Sequence, residues 1–441
     1  MASIRPAIRK LPPQAAIAIL KKGFVLPAPA ARLLFKDILR PEKWHRKWIR
    51  KVRYSVGWWG AWLGEKVYKL DDEALLERIH SADLILFHVH GGGFRIGKCT
   101  MFMDTYVQLL RVLKEKYNID ALIMSAEHRL SPEYKYPAPL EDVVRAYEHL
   151  ITHLKVDPKK VVALGDSTGA AMILEMLFIT HDPSMFEITT NYPEGQTADP
   201  VPELPRPAAL VMSSPLVTER TDSNSWMENT KYDYITQYTA KLIIKDFFES
   251  PGKNMLPDAT QHLGVARLQS GYRAFLPQTL MFVGNKEVLR DDALEIAYKA
   301  EQDGVPVETV IEDCVHDWFF VREIVKDKDI IKRADETFAE FCYRTAVAPR
   351  RLSNDNVSYC PISEGLAAVP EENDGEEESD DSYYEEFHDA SNIDLEFADS
   401  SSMSAVTTDM ESFSTQDKSS SKRTTLSDPK SSSKRTMTIY V

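Results

Sequence analysis

Ser167 has the sequence surroundings of a serine nucleophile. It lies in Gly165-Asp166-Ser167-Thr168-Gly169, which fits the pattern G-x-S-x-G. The pattern follows a predicted strand, Val161–Gly165, and precedes a predicted helix, so the serine hydroxyl is expected to be exposed on a sharp turn above a sheet. The pattern alone is weak, because average glycine and serine usage produces it by chance in about one chain in ten.

A glycine run upstream provides a second element of the same chemistry. His90-Gly91-Gly92-Gly93-Phe94 follows the apolar run LILFHVH, which predicts a buried strand. Glycines leave backbone N–H groups uncovered, and these groups can point at an oxyanion that develops during acyl transfer. The N–H of Thr168, the residue after the candidate nucleophile, is expected to join them.

A histidine downstream could serve as the general base. His316 follows the last predicted strand, Val307–Asp313, and therefore lies at the carboxyl end of that strand. The other downstream histidines are less well placed, since His181 ends a predicted helix, His262 lies in an insertion and His388 lies in an acidic tail. The predicted base is therefore His316.

The acid that would orient this histidine has two candidates. Glu287 lies in the loop after the predicted strand Thr279–Gly284, and it is the preferred choice. Asp291 is the alternative, although its position favours capping or opening the next helix. Either choice gives the chain order serine, acid, histidine, which is one of the orders in which such triads occur.

Strands and helices alternate through the middle of the chain. The apolar runs at 84–90, 121–128, 161–165, 208–216, 279–284 and 307–313 predict strands, and helical patterns lie between most of them. This alternation indicates an α/β fold with a mostly parallel central sheet and helices on both faces. Residues 182–207 and 218–277 interrupt the rhythm, and we interpret them as insertions that build a helical cap or pocket.

Together these motifs resemble the hormone-sensitive-lipase branch of the α/β hydrolases, the HGGG-type esterases and lipases. The resemblance extends over about 230 residues, in the family's order and spacing. It is carried by HGGGF at 90–94, EHRLSPEYKYPAPLEDV at 127–143, GDSTG at 165–169, EVLRDD at 287–292 and VHDWF at 315–319.

The resemblance implies a complete site. Its catalytic triad would be Ser167, Glu287 and His316, and its oxyanion hole would be Gly91, Gly92 and Thr168. Two residues depart from the family, which usually has Asp at the acid position and Ala after the nucleophile. Glutamate keeps the charge and the hydrogen bond, and Thr168 keeps the N–H that the oxyanion hole needs.

The predicted function is hydrolysis of carboxylic esters of hydrophobic substrates, through an acyl-enzyme. The resemblance extends the substrates to steryl esters or small acetyl esters. Two alternatives stay open: an amidase or formamidase, and a non-catalytic ligand receptor on the same fold. Receptors of the family have lost the histidine, so His316 argues against the second alternative. No cofactor or metal is expected.

Charge divides the chain into three parts. Residues 1–70 carry 16 Lys and Arg against 3 Asp and Glu, and they include five tryptophans. We expect this basic, aromatic segment to form part of the cap, and our hypothesis is that it also makes peripheral contact with a membrane or lipid droplet. Residues 71–348 are the predicted catalytic domain, with the cap insertion at about 218–277. Residues 349–441 form an acidic, serine-rich tail that is expected to be disordered.

Composition also limits compartment and partners. The four cysteines are too scattered for a disulfide framework or a metal site, which favours reduced thiols. The apolar run at 15–20 is too short for a signal peptide core or a membrane span. We therefore expect a cytoplasmic protein, peripheral at most to an intracellular membrane. Nucleic-acid binding is not expected, because the middle of the chain is acidic and carries no recognition motif.

Overall fold

An eight-stranded sheet forms the centre of the computed structural model, which describes residues 11–52, 58–183, 201–248, 263 and 265–355. The strands are β1 Ile49–Val52, β2 Gly60–Leu63, β3 Leu84–Val89, β4 Ala121–Ala126, β5 Val161–Asp166, β6 Ala209–Ser213, β7 Gln278–Gly284 and β8 Val307–Glu312. Their order across the sheet is β1-β2-β4-β3-β5-β6-β7-β8. Strands β3 to β8 all run parallel to one another. Strands β1 and β2 pair antiparallel at one edge of the sheet.

Helices connect these strands and cover the sheet. They are α1 Pro13–Phe24, α2 Ala28–Phe35, α3 Asp72–Ser81, α4 Met103–Tyr117, α5 Ala138–Glu148, α6 Ser167–His181, α7 Asn224–Asn229, α8 Gln237–Phe248, α9 Tyr272–Phe275, α10 Arg290–Gln302, α11 Lys328–Cys342 and α12 Ala348–Asp355. Strands β3 to β6 are buried almost throughout, as expected for parallel strands with both faces covered. The predicted α/β class and the mostly parallel sheet are confirmed.

The topology explains why distant motifs meet. The chain leaves β3, β5, β7 and β8 at the same edge of the sheet, because these strands are parallel and share one direction. The segment after β3 holds the glycine run, and the segment after β5 holds Ser167. The segments after β7 and β8 hold Glu287 and His316. Ligand sites of open parallel sheets form at this carboxyl edge.

The N-terminal segment contributes to the sheet as well as to the surface above it. We expected residues 1–70 to belong to the cap, but β1 and β2 extend the central sheet, and Trp58 and Trp62 are buried in its core. These strands are four residues long, too short to show a hydrophobic period, so the tryptophans of this segment indicate a part of the cap when the sequence is considered alone. Helices α1 and α2 lie above the sheet edge, as described below.

The end of the described chain also differs from the expectation. The predicted tail began at residue 349, but helix α12 continues to Asp355. Arg350 donates hydrogen bonds to the carbonyls of Ala346 and Asp83, and Arg351 donates to that of Tyr117. Such bonds from charged residues to backbone are invisible in composition. Residues 356–441, most of the predicted tail, lie outside the described part of the chain.

Within the described ranges, no helix has both the length and the apolarity to cross a membrane.

Candidate active site

Ser167 occupies the first position of α6 with a left-handed backbone, φ 47°. A non-glycine residue in this region stores about 1–2 kcal/mol of strain, which the surrounding packing must hold. Gly169 allows the turn to sit tightly, because a Cβ at this position would lie 2.2 Å from the carbonyl oxygen of Val89. The sequence pattern therefore has a steric cause, since the helix start presses against the end of β3.

His316 lies within hydrogen-bonding reach of the serine. Its Nε2 atom is 2.9 Å from the Oγ atom of Ser167, although the two residues are 149 positions apart in the chain. The histidine is 2% exposed, so bulk water has little access to the ring. A neutral Nε2 at this distance can accept the serine proton.

Glu287 lies behind the histidine. Its Oε2 atom is 3.4 Å from the Nδ1 atom of His316, and these two buried atoms have no other hydrogen-bond partner among the described residues. Its Oε1 atom accepts a hydrogen bond from the backbone N–H of Gly284, at 3.1 Å. The longer glutamate side chain thus folds back onto its own loop. A separation of 3.4 Å is long for a hydrogen bond, and such contacts commonly tighten when substrate binds.

The alternative acid lies elsewhere. Asp291 accepts a hydrogen bond from the backbone N–H of Ser225 at 2.8 Å, in the first turn of α7, and it pairs with Arg290. This carboxylate therefore stabilises the start of a neighbouring helix. The structure brings Glu287, and not Asp291, to the imidazole.

Opposing effects act on the pKa of His316. Burial by itself lowers this pKa, because a charged imidazolium loses its hydration. The interaction with Glu287 and the negative charge of Asp233 outweigh burial and raise the pKa above its usual value. The site is thus prepared to carry a positive charge on this ring.

The glycine run lies against the serine turn. A Cβ on Gly91 would be 2.4 Å from a carboxylate oxygen of Asp166 and 3.1 Å from Cβ of Ser167, so only glycine fits there. Gly92 has φ 106°, a conformation that other residues rarely adopt. Among the described residues, no backbone carbonyl accepts from the N–H of Gly91 or Gly92. The N–H of Thr168 lies at the start of α6, where backbone donors have no acceptor within the helix.

The side chain of Thr168 has a contact that the sequence did not predict. Its Oγ1 atom accepts a hydrogen bond from the backbone N–H of Phe94, 3.3 Å away. This bond ties the glycine loop to the start of α6. The alanine that usually follows the nucleophile in the family that this chain resembles has no hydroxyl and could not accept this hydrogen bond.

A buried polar cluster holds the other side of the glycine loop. His90 contacts the carbonyl of Gly91 at 2.8 Å through Nδ1 and a carboxylate oxygen of Glu127 at 3.2 Å through Nε2. The second oxygen of Glu127 accepts the N–H of Cys99. His128 stacks on His90, and burial together with the charge of His90 lowers the pKa of His128 to about 3. The cluster fixes the conformation of the loop rather than contacting Ser167.

The sequence analysis assigned no role to two carboxylates near the site. Asp233 belongs to the segment between α7 and α8, and Asp317 follows His316 directly. Asp317 has φ 58°, and its carboxylate accepts a hydrogen bond from the Ser213 hydroxyl at 3.0 Å. The backbone N–H of Asp317 donates to the hydroxyl oxygen of Ser214. Both aspartates lie in irregular segments, where no periodicity marks a buried position.

Two cavities meet at the serine. The larger has an apolar lining that comes mainly from the N-terminal segment and the loop before α4: Leu20, Phe24, Phe35, Leu39, Met101 and Phe102. The smaller is lined by residues such as Leu216, Trp226 and Ile244, with Glu219 and Arg220 among its polar groups. Ser167, His316 and Ile243 border both cavities. Their mainly apolar linings suit molecules with apolar groups.

Hydrogen bonds from buried or half-buried cations hold the N-terminal segment over the larger cavity. Arg95 is 3% exposed, forms an ion pair with Asp246 at 2.7 Å and donates to the carbonyls of Phe24 and Leu26. Lys21 donates to the carbonyls of Thr230 and Asp233, each at 3.0 Å. These bonds join α1 to the glycine loop and to the segment after α7.

No metal site accompanies this geometry in the described ranges, where no group of three or more His, Cys, Asp and Glu side chains is placed to hold an ion.

Comparison with known proteins agrees with this architecture. The chain is 27% identical over 230 residues to an esterase of Acinetobacter venetianus, covering 52% of this chain and 64% of the relative. It is 26% identical over 280 residues to arylacetamide deacetylase of Mus musculus, covering 53% and 68%. The alignments thus span about two thirds of each curated relative.

Solved structures show the same fold. An esterase from the bacterial hormone-sensitive lipase family superposes with a TM-score of 0.56 at 23% identity, covering 76% of this chain and 98% of that one. A bacterial heroin esterase superposes with a TM-score of 0.57 at 20% identity, covering 76% and 96%. The family described as alpha/beta hydrolase fold matches residues 86–320, which include every motif of the site. The chain therefore belongs to the α/β-hydrolase-fold family.

Proposed function

We propose that this protein is a serine hydrolase that cleaves carboxylic esters of hydrophobic substrates. The observation that carries the proposal is the 2.9 Å contact between Ser167 Oγ and His316 Nε2, at the meeting point of two largely apolar cavities. The esterases and lipases among its relatives support the same reaction class. The cavities, and not the fold, are what favour a hydrophobic substrate.

Each group would have a defined part in the reaction. His316 would take the proton of Ser167 as the serine oxygen attacks the ester carbonyl, and Glu287 would stabilise the imidazolium. The N–H groups of Gly91, Gly92 and Thr168 would stabilise the oxyanion, and such donors are each worth about 10²–10³ in rate. His316 would then protonate the leaving alcohol, and water would release the acyl group from the serine.

The test is the turnover of p-nitrophenyl esters by the full chain and by Ser167→Ala. We expect the substitution to remove nearly all turnover and to abolish labelling by a fluorophosphonate probe. Ser81→Ala is the matched control, because Ser81 is exposed at the end of α3. Undiminished turnover or labelling of Ser167→Ala would overturn the assignment. A wild-type chain that is neither labelled nor active would favour a non-catalytic receptor.

Amide hydrolysis is the second candidate, because the relatives include arylacetamide deacetylase. It would use the same serine and histidine, so mutagenesis does not separate the two activities. Matched ester and anilide substrates with one acyl group do separate them. We expect larger kcat/KM for the ester, and a larger value for the anilide would reverse the assignment.

The acyl group is best addressed with a series of p-nitrophenyl esters of increasing chain length. The lining of the larger cavity favours apolar acyl groups, and neutral cholesterol ester hydrolase 1 of Rattus norvegicus is among the relatives. We propose that kcat/KM rises beyond acetate in this series. A maximum at acetate would instead point to a small acetyl-ester deacylase.

We also propose peripheral contact with a membrane or lipid droplet through the N-terminal segment. Leu33 is 75% exposed and Leu34 37% exposed on α2, and Trp44 is also exposed nearby in the chain. The exposed cations Lys36 and Lys43 are close in sequence, a composition that suits an anionic lipid surface. Flotation with phosphatidylserine vesicles should be weakened in the double variant Leu33→Glu, Leu34→Glu. Equal flotation of variant and wild type would remove the idea.

A further inference from the structure

Asp233 connects the two loops that carry the acid and the histidine of the site. Its Oδ2 atom accepts the backbone N–H of Val288 at 2.8 Å, next to Glu287. Its Oδ1 atom accepts the N–H of Tyr234 at 2.7 Å and faces the N–H of His316 at 3.4 Å. One carboxylate therefore contacts the backbone on both sides of the acid–histidine pair.

This carboxylate is fully buried, with 0% of the residue exposed. Among the described residues no Lys or Arg side chain pairs with it, and Lys21 contacts only its backbone carbonyl. A buried carboxylate without a cation is costly. Burial raises the pKa of Asp233 to about 6, and the nearby His316 is the strongest effect that opposes this rise.

The charged groups around the imidazole come from several elements. Glu287 faces it from the loop after β7, Asp233 from the segment after α7, and Asp166 from the end of β5. Asp317 adjoins it in the chain, and the ring of Tyr234 lies 5.4 Å away, edge-on. Glu287 and Asp233 are the groups whose effects on the imidazolium are largest after burial.

We propose that Asp233 is a positioning residue of the site: its carboxylate holds the loops of Glu287 and His316 in register and supports the imidazolium electrostatically. This inference is based on the proposed hydrolase function. Asp233 acts through His316 and does not contact the reacting atoms. Lys21 of α1 donates to the backbone carbonyl of Asp233, and Ile235 lines both cavities. The segment between α7 and α8 therefore links helix α1, which lies over the larger cavity, to the histidine.

Asp233→Asn tests the proposal, since it removes the charge and keeps the size. The amide retains one acceptor oxygen but cannot accept both sets of N–H groups. We expect kcat to fall about 10-fold with KM changed less than about twofold, because a small displacement of catalytic groups affects the chemical step. The acid limb of kcat/KM should move about one pH unit lower, as expected when a nearby negative charge is lost.

Asp142→Asn is the matched control. Asp142 is also a buried carboxylate, 5% exposed, and it accepts the backbone N–H of Arg129 at 2.7 Å. Within the described part of the chain it pairs, unlike Asp233, with a cation, since the Nε–H of Arg129 donates to it at 2.9 Å. We expect this variant to unfold at lower temperature while its acid limb stays in place. An equal shift of the limb in both variants would show a general loss of stability and would overturn the proposal.

Asp233→Glu is a second test of the positioning role, and it still applies if Asp233→Asn does not fold. It keeps the charge but displaces the loops, so we expect a reduced kcat with an acid limb within about 0.3 pH units of wild type. A limb shifted by a full unit in this variant, or wild-type kcat and limb in Asp233→Asn, would overturn the inference. Absence of Ser167-dependent turnover in the wild-type chain would instead overturn the proposed function.

Discussion

Replacing Thr168 by alanine removes the hydroxyl that accepts the backbone N–H of Phe94, 3.3 Å away. Both residues are almost fully buried, so water cannot easily replace the lost acceptor. An unsatisfied buried N–H costs about 1–3 kcal/mol, and about 1.5 kcal/mol is reasonable for a bond of this length. The higher helix propensity of alanine recovers about 0.5 kcal/mol. The hydroxyl should therefore stabilise the fold by about 1 kcal/mol.

Thr168→Ser isolates this contribution, because it removes the same methyl group but keeps the hydroxyl. Denaturant unfolding of the two variants should give a free energy of unfolding about 1 kcal/mol lower for Thr168→Ala. Its kcat/KM should also be lower, by about 10-fold, because the loop with Gly91 and Gly92 loses one tie to the serine turn. Equal free energies of unfolding for the two variants would refute the reasoning.

Four further predictions concern the site and its supports. The raised pKa of His316 should place the acid limb of kcat/KM above pH 6.5, since the neutral ring is the base. Glu287→Gln should move this limb to lower pH and reduce kcat about 10³-fold or more, and an unmoved limb in the pH–rate profile would contradict the role of Glu287. Arg95→Met should lower the free energy of unfolding by about 3 kcal/mol in urea, because it leaves Asp246 without its cation; a change near zero would show that the pair is dispensable. Gly169→Ala should destabilise the fold by about 3 kcal/mol, because its Cβ would lie 2.2 Å from a carbonyl of β3, and a thermal unfolding temperature equal to wild type would be inconsistent with that clash.

Much of the fold could be predicted because the central strands are long and buried. The runs that become β3, β5 and β7 are apolar and bounded by turn signals, and the structure ends each within a residue or two of its expected limit. The same predictability did not extend to β1 and β2. Each has four residues, and their pairing depends on distant strands, so local pattern could not reveal them.

The motifs of the chain indicated which residues could carry the chemistry. The order of the glycine run, Ser167, Glu287 and His316 follows from motifs at strand ends, and parallel strands place those ends at one edge. Sequence left Glu287 and Asp291 open as acids, because both follow the same strand. Their surroundings differ only in the folded protein. Asp291 accepts a hydrogen bond from the first turn of α7, whereas Glu287 faces the histidine.

Tertiary structure alone also placed Asp233 and the hydroxyl of Thr168. Their contacts join segments far apart in the chain: Asp233 faces His316 across 83 positions, and Thr168 accepts from Phe94 across 74. A lone aspartate between two tyrosines carries no local signal of burial. Burial and hydrogen bonding of this kind arise when loops pack on one another, and short-range patterns report only the elements that the loops connect.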